Sequence, residues 1–445
     1  MGKFLLYFKK SFYCLVLIGI QNQAFSQDLI EIYQLALYSD PVSKQALALQ
    51  NATAETRDQS IARLLPNFSA TAASTRNYLH NKKAGNDFRG AQVNQSFWDQ
   101  TFNLNFIQPV FHWDYWVQLS QSDNQIAQTE ADYWAEQQNL MVRITEAYFN
   151  VLSAQDTLEF AGAEKKAIAR QLDQAQQRFE VGLIPITDIY EAQAGFDQAR
   201  ADEIEAENDL GNKKEALKEI IGEYETTLAP LGEHLALIDP KPSDMSAWSK
   251  AAASNNLSIA SAFNQSEFAR KAIELQTAGH LPQLDIVGSY FVSDNNSTFG
   301  FRGDSQNIGL QLSLPLFEGG AVNSRIRQAR QDYIAAREKL VETQRAVNRL
   351  VKDAYRGVIS NISRVEALKA TVKSAKSALE AAEAGFEVGT RTMVDVLALQ
   401  RNLYRAKTNY ARSRYDYLID SIKLKQATSS LTEADLEYIN NFLEH

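Results

Sequence analysis

The sequence predicts a mixed α and β membrane protein built as two internal structural repeats. Its strands join a β-barrel, and very long helices continue the barrel as coiled-coil hairpins. Three observations predict this fold. Two stretches of about 68 residues, 113–181 and 321–387, contain no proline and carry apolar residues every seven positions. Four shorter segments alternate apolar with polar residues at the period of a strand. A turn signal, Phe-Glu-Val-Gly, ends at Gly182 and again 207 residues later at Gly389.

Residues 1–26 read as a secretory signal. Lys3, Lys9 and Lys10 precede an apolar run from Ser11 to Ile20, and Ala24-Phe25-Ser26 suits cleavage. That run is too short to span a bilayer. The only cysteine, Cys14, lies within it, so the exported chain is expected to carry no disulfide and no lipid. The first repeat is assigned to 27–235. Residues 29–64 read as helix, interrupted at Asp40-Pro41, where proline suits the first turn of a second helix. A strand follows over 68–72, a polar loop over 81–95, and a second strand over 101–106 that ends at Pro109. The first long helix has a seven-residue row running from Ile126 through Leu140, Ala154 and Ile168 to Ala175. At 1.5 Å per residue it would reach roughly 100 Å, which no compact domain needs. It breaks at Gly182, and a return helix runs over 188–221.

A linker marked by Pro230, Gly232, Pro240 and Pro242 leads into the second repeat, assigned to 236–445. The same order recurs there: helix over 246–278, strand over 286–292, polar loop over 293–306, strand over 308–314. The long helix 321–387 follows, with Val351, Val358, Val365, Val372, Leu379 and Phe386 at seven-residue steps. Beyond the Gly389 tip come a return helix over 394–430 and a short helix over 433–443. Leu65-Pro66 recurs as Leu281-Pro282 after 216 residues, and Pro109 as Pro315 after 206.

Strands of about ten residues have the length that crosses an outer membrane at a tilt. Four strands cannot close a barrel, and hydrocarbon tolerates no open sheet edge, so several chains must pool their strands. A symmetric ring is the natural closure. The pattern leaves the number of chains open; three would give twelve strands. Phe97, Trp98, Trp113, Tyr115, Trp116, Phe299 and Phe301 stand near strand ends and suit a headgroup girdle. Trp113 and Trp116 read equally well as core at the strand–helix junction.

Loss of the signal leaves 42 basic and 54 acidic side chains, a net charge of about −12, which disfavours a nucleic-acid partner. No later stretch approaches 18 apolar residues. The five histidines lack metal-ligand spacing, and there is no nucleophile elbow, P-loop or His-Glu-x-x-His run. No catalysis, cofactor or metal is expected. A periplasmic coiled-coil scaffold or adaptor that never enters a membrane is the rival reading; it explains the hairpins but not the four amphipathic strands.

Further residues carry a resemblance: Tyr148-Phe149-Asn150-Val151-Leu152, Arg170-Gln171-Leu172-Asp173, Arg178-Phe179-Glu180-Val181-Gly182-Leu183 and Ile186-Thr187-Asp188 in the first half. Gly279-His280-Leu281-Pro282, Leu314-Pro315-Leu316-Phe317-Glu318-Gly319-Gly320 and Val388-Gly389-Thr390-Arg391-Thr392-Met393-Val394-Asp395 follow in the second. The chain resembles the TolC family of outer-membrane efflux and secretion channels over essentially all its mature length. The resemblance implies a homotrimer sharing one twelve-stranded barrel in outer-membrane lipid, continued by a periplasmic helical barrel. It also implies a passive duct, opened at its hairpin tips by a periplasmic adaptor (membrane-fusion) protein. The energy would come from an inner-membrane pump of resistance-nodulation-division or ABC type.

By resemblance, Arg391 links to Thr187 and Asp188 on adjacent helices, and Asp395 forms a carboxylate ring at the constriction. Val181, Gly182, Leu183, Val388, Gly389 and Thr390 are the adaptor-docking tips. Two departures bear on the gate. Phe386 replaces the family's tyrosine, so its hydrogen bond to Asp188 is lost, and Ala398 replaces a second acidic ring. Weaker closure and lower cation selectivity are expected. Read locally, Asp395 and Asp188 each fit a helix N-cap as well as a gate, Arg391 fits a solvated turn, and Gly182 and Gly389 fit left-handed turn positions.

Overall fold

The computed structural model describes residues 26–79, 95–224, 227–297 and 300–444. The signal up to residue 25, residues 80–94 of the first polar loop, Phe299 and His445 lie outside the described residues.

The chain opens with α1 (Leu29–Ser39), started by a capping box between Asp28 and Glu31. Asp40 then ends α1 and caps α2 (Pro41–Ala62), accepting from the Ser43 N–H at 2.8 Å. Its buried carboxylate also takes two N–H groups of Arg143, at 3.1 and 2.8 Å. The second half was expected to begin with one helix over 246–278. It has two, α5 (Met245–Asn255) and α6 (Leu257–Thr277). Asn256 makes the break, 216 residues after Asp40. Its Oδ1 accepts from the Ser258 and Ile259 N–H groups, and its Nδ2 donates to the Ala427 carbonyl at 3.0 Å. No proline announces this break; a buried amide satisfied on both sides imposes it.

Four strands form one antiparallel sheet in chain order: β1 (Asn67–Leu79), β2 (Gln95–Phe111), β3 (Gln283–Asn295) and β4 (Arg302–Ser313). They are 13, 17, 13 and 12 residues long, longer than expected. Much of the presumed 293–306 loop is ladder, where Asp294 pairs with Arg302 and holds it in a 3.0 Å ion pair. Neutralised in this way, charged side chains extend a strand beyond its apolar part. Nor does β2 stop at Pro109. It continues to Phe111 through a register shift, the irregularity at which a strand tolerates a residue without an N–H.

The hairpins follow the strands. α3 (Trp113–Glu180) returns as α4 (Ile186–Ile221), and α7 (Ala321–Glu387) as α8 (Met393–Ala427). The seven-residue rows are their buried seams: Leu140, Ala154, Ile168 and Ala175 on α3, and Val351, Val358, Val365 and Leu379 on α7. On α4 the buried row is Ala192, Ala199 and Ala206, side chains small enough to draw the two helices together. Trp113 and Trp116, in the first turn of α3, are 45% and 53% exposed, so neither fills a core in this chain.

The largest core lies partway along α3 and α8 and ties the two halves together. Leu29 and Ile32 of α1, Tyr148 and Phe149 of α3, Leu418 and Ile422 of α8, and Leu436 of α9 (Glu433–Asn440) meet there. The Tyr148 hydroxyl reaches the carbonyls of Gln27 and Ala229, and Phe149 stacks on Tyr415 with centroids 5.6 Å apart. Leu231 bridges to Leu443 near the end of the chain. The hairpins thus leave a fixed base, with their tips far from it.

Candidate channel wall and hairpin gate

Directly paired residues of antiparallel strands share a face, so each ladder row can be read across all four strands. One row is Phe68–Phe106–Gly288–Ile308; the next is Ser69–Asn105–Ser289–Asn307. On the first face the Phe68 and Phe106 rings stand 5.0 Å apart, and Ile308, Leu310 and Leu312 of β4 are largely exposed. On the second, Asn307 Nδ2 donates to Ser289 Oγ at 2.8 Å. One face suits lipid and the other a watery lumen. Among the described residues β1 and β4 each pair on one side only. Strands from outside the chain must therefore complete the wall in hydrocarbon.

At the far ends the two tips share one turn. Gly182 and Gly389 have φ of 77° and 78°, the left-handed conformation that closes a helix. Leu183 N–H returns to the Arg178 carbonyl at 2.9 Å, and Thr390 N–H to that of Gly385 at 2.8 Å. Four residues past each glycine the chain is helical again, at Ile186 and Met393.

The restarts differ. Thr392 is the N-cap of α8: its Oγ1 accepts from Asp395 N–H at 3.2 Å, while Asp395 Oδ2 accepts from Thr392 N–H at 3.1 Å and its hydroxyl at 2.9 Å. Asp395 is therefore the reciprocating third residue of a capping box, not the cap. The Thr392 N–H, then its hydroxyl, then the charge of Arg391 hold the Asp395 carboxyl below its usual range. Asp188 holds the same place in α4, but there the N-cap is Pro185, which has no N–H to offer. Its carboxylate touches only the Thr187 hydroxyl, at 3.5 Å, among the described residues.

Arg391 does not reach Asp188 or Thr187 within one chain. Its stem lies on Gly385, where an added Cβ would come within 2.8 Å of Arg391 Cγ. Phe386 joins both tip clusters, against Met393 and Leu397 on one side and Leu379 and Val396 on the other. The Arg178 guanidinium lies 5.3 Å from its ring centroid. Arg178 carries the family motif, but sequence reasoning gave it no role: it stands just before the turn signal of one hairpin and contacts the other, and no local spacing announces that. Val181, Leu183 and Val388 are exposed apolar side chains at the very tips.

Residues 32–223 and 248–430 match the outer membrane efflux protein family. The chain belongs to that family. It is 38% identical to outer membrane protein TolC of Vibrio cholerae over 95% of each chain. It is 29% identical to the alkaline protease secretion protein AprF of Pseudomonas aeruginosa, over 95% of this chain and 89% of that one. In fold it is similar to the Campylobacter jejuni CmeC outer membrane channel, at a TM-score of 0.79 and 16% identity, over 99% of this chain and 98% of that one. As a member of the outer membrane efflux family, the chain lies in the outer membrane with a large periplasmic helical part. The family is one of channel proteins, and among the described residues no cluster of metal-ligating side chains occurs.

Proposed function

We propose that this outer membrane efflux family member works as a homotrimer whose twelve strands close one barrel, forming the passive exit duct of a tripartite efflux pump, a type I secretion system, or both. The carrying observation is the four-stranded sheet with one apolar face, one polar face and two unpaired edges, joined to hairpins of about 100 Å. The relatives' names, one a TolC and one a protease secretion protein, support both uses. A periplasmic adaptor docks on the exposed tips around Val181, Gly182 and Leu183 and around Val388, Gly389 and Thr390. An inner-membrane pump of resistance-nodulation-division or ABC type drives transport.

The gate is assigned to the tips. Asp188 has no capping duty, so its carboxylate can take Arg391 of a neighbouring hairpin beside Thr187. In the trimer three Asp395 carboxylates approach the axis, where mutual repulsion favours a bound cation. Phe386 gives up the tyrosine hydroxyl but keeps the two hairpins of one chain together through its ring. Single-channel currents of the mature protein in a planar bilayer test this reading. Small currents, blocked by divalent or trivalent cations, should grow severalfold in Arg391→Ser, and Asp395→Ala should lose the block. No current in either wild type or Arg391→Ser, with intact folding, would favour the non-spanning scaffold.

A further inference from the structure

Arg76 lies on the apolar face of the sheet, in the row that pairs it with Trp98. Its guanidinium stands 5.5 Å from the Trp98 ring centroid and 5.5 Å from that of Tyr78. Among the described residues it makes no hydrogen bond and no ion pair. The base of β1 joins α2 on the periplasmic side, so rising along the strand leads outward. From Phe68 to Arg76 is eight residues, about 27 Å along the strand. At a tilt near 40° that is roughly 20 Å along the membrane normal, close to the height of a barrel's apolar band. The face changes accordingly, from Phe68, Ala70 and Ala72 to Ser74 and Arg76. The guanidinium therefore stands at the outer-leaflet headgroup level, on the lipid side of the wall.

We infer that Arg76, held by Trp98 and Tyr78, is a binding site for the phosphate of an outer-leaflet lipid headgroup. The rings contact the guanidinium and leave N–H groups for a phosphate, whose oxygens match the planar fork. Among the described residues, the other outward arginine at this end, Arg302, is already engaged by Asp294 and Asn296. Within the chain, the outward carboxylates among the described residues at this end, Asp294 and Asp304, belong to β3 and β4, two and three strand spacings away. That is about 10 and 14 Å, beyond the roughly 8 Å over which charge carries at physiological salt. The site faces lipid whichever cargo uses the lumen, so it does not rest on the proposed transport role.

The test uses the full mature chain in detergent with dioleoyl phosphatidic acid as probe and dioleoyl phosphatidylcholine as control, bound lipid being counted by native mass spectrometry. Wild type should retain phosphatidic acid selectively. Arg76→Gln should weaken retention about three- to tenfold, and Arg76→Lys should fall between, keeping the charge without the fork. Trp98→Leu should also weaken it although the charge remains. Equal retention by wild type and Arg76→Gln would overturn the site. So would earlier loss of the oligomer in Arg76→Gln with lipid retention unchanged, which would place Arg76 at a protein seam. Displacement of the lipid by equimolar inorganic phosphate would overturn the lipid assignment in favour of a free anion.

Discussion

Ile186 and Met393 hold the same place in the two hairpins, the first residue of the return helix, yet Ile186 is 46% exposed and Met393 only 2%. One turn further on, Tyr190 is 65% exposed and its counterpart Leu397 only 6%. The turn chemistry is shared; the surroundings are not. The start of α8 is packed against Ile168 and Ala175 of α3 and Ala192 of α4, whereas the matching face of α4 is open. At the tip end, coupling between the hairpins of one chain thus runs through the start of α8. The first presents an unpartnered apolar face and a carboxylate, Asp188, free of capping. Of two equal-looking tips, the second also packs the hairpins of its own chain together, while the first leaves the matching helix face open.

The sharpest way to break this contrast is truncation. Leu397→Ala should cost about 2–3 kcal/mol of local stability at the tips. Tyr190→Ala should stay within about 0.5 kcal/mol in the isolated chain. Hydrogen exchange of tip amides checks both, since the tips can open without global unfolding. Equal effects would mean that the asymmetry of burial carries no energy. Next in size, Gly182→Ala and Gly389→Ala should each cost about 1–2 kcal/mol, the penalty of a left-handed residue with a Cβ. The two should match, because no atom lies within 4 Å of either added Cβ and the φ values agree. This pair isolates what the tips share.

Much of the contrast's framework can be read from residues in order. The repeated glycines, the seven-residue seams and the strand alternation are local or periodic signals, and the long helices begin and end where those signals place them. What stayed illegible was decided by partners distant in sequence. Asn256 breaks a helix because Ala427 waits for its amide. The polar end of β3 stays in the ladder because Asp294 meets Arg302 across the strands. Asp395 could be read as a cap from its position after a turn, but Thr392, three residues before it, takes that role. The family resemblance supplied Arg391 and Asp188 as a pair. In one chain they do not meet, so the link proposed above would have to run between chains.

The capping difference gives a smaller effect with a pH signature. Thr392→Ala should cost about 1 kcal/mol at the start of α8. Pro185→Ser should be close to neutral, adding a cap acceptor while losing the fixed φ of proline. The Asp395 carboxyl is held below its ordinary range, by the Thr392 N–H first and its hydroxyl next. Its contribution is therefore complete above the unfolded value near 4 and fades as pH falls through the lower folded value. Exchange at the first turn of α8, referenced to the first turn of α4, should rise on acidification in wild type and stay flat in Thr392→Ala. A constant ratio in wild type would show that the box carries no stability.

The smallest effect bears most on the gate. Arg178 contacts Phe386 from the opposite hairpin, so it couples the open tip to the packed one. At a partly exposed site such a contact contributes about 0.5–1 kcal/mol, comparable to the neutral hydrogen bond that the missing tyrosine hydroxyl would have made. Arg178→Gln should therefore raise the wild-type current a few-fold, less than Arg391→Ser. Phe386→Tyr should leave the ring contact in place and lower the current by adding a donor. Arg178→Lys should keep the charge but restore only part of the closure, since a flat guanidinium covers a ring better than an ammonium does. If Arg178→Gln conducts like wild type while Phe386→Ala conducts more, the ring acts through Met393 and Leu397 alone. Coupling between the tips would then reside wholly in the buried start of α8.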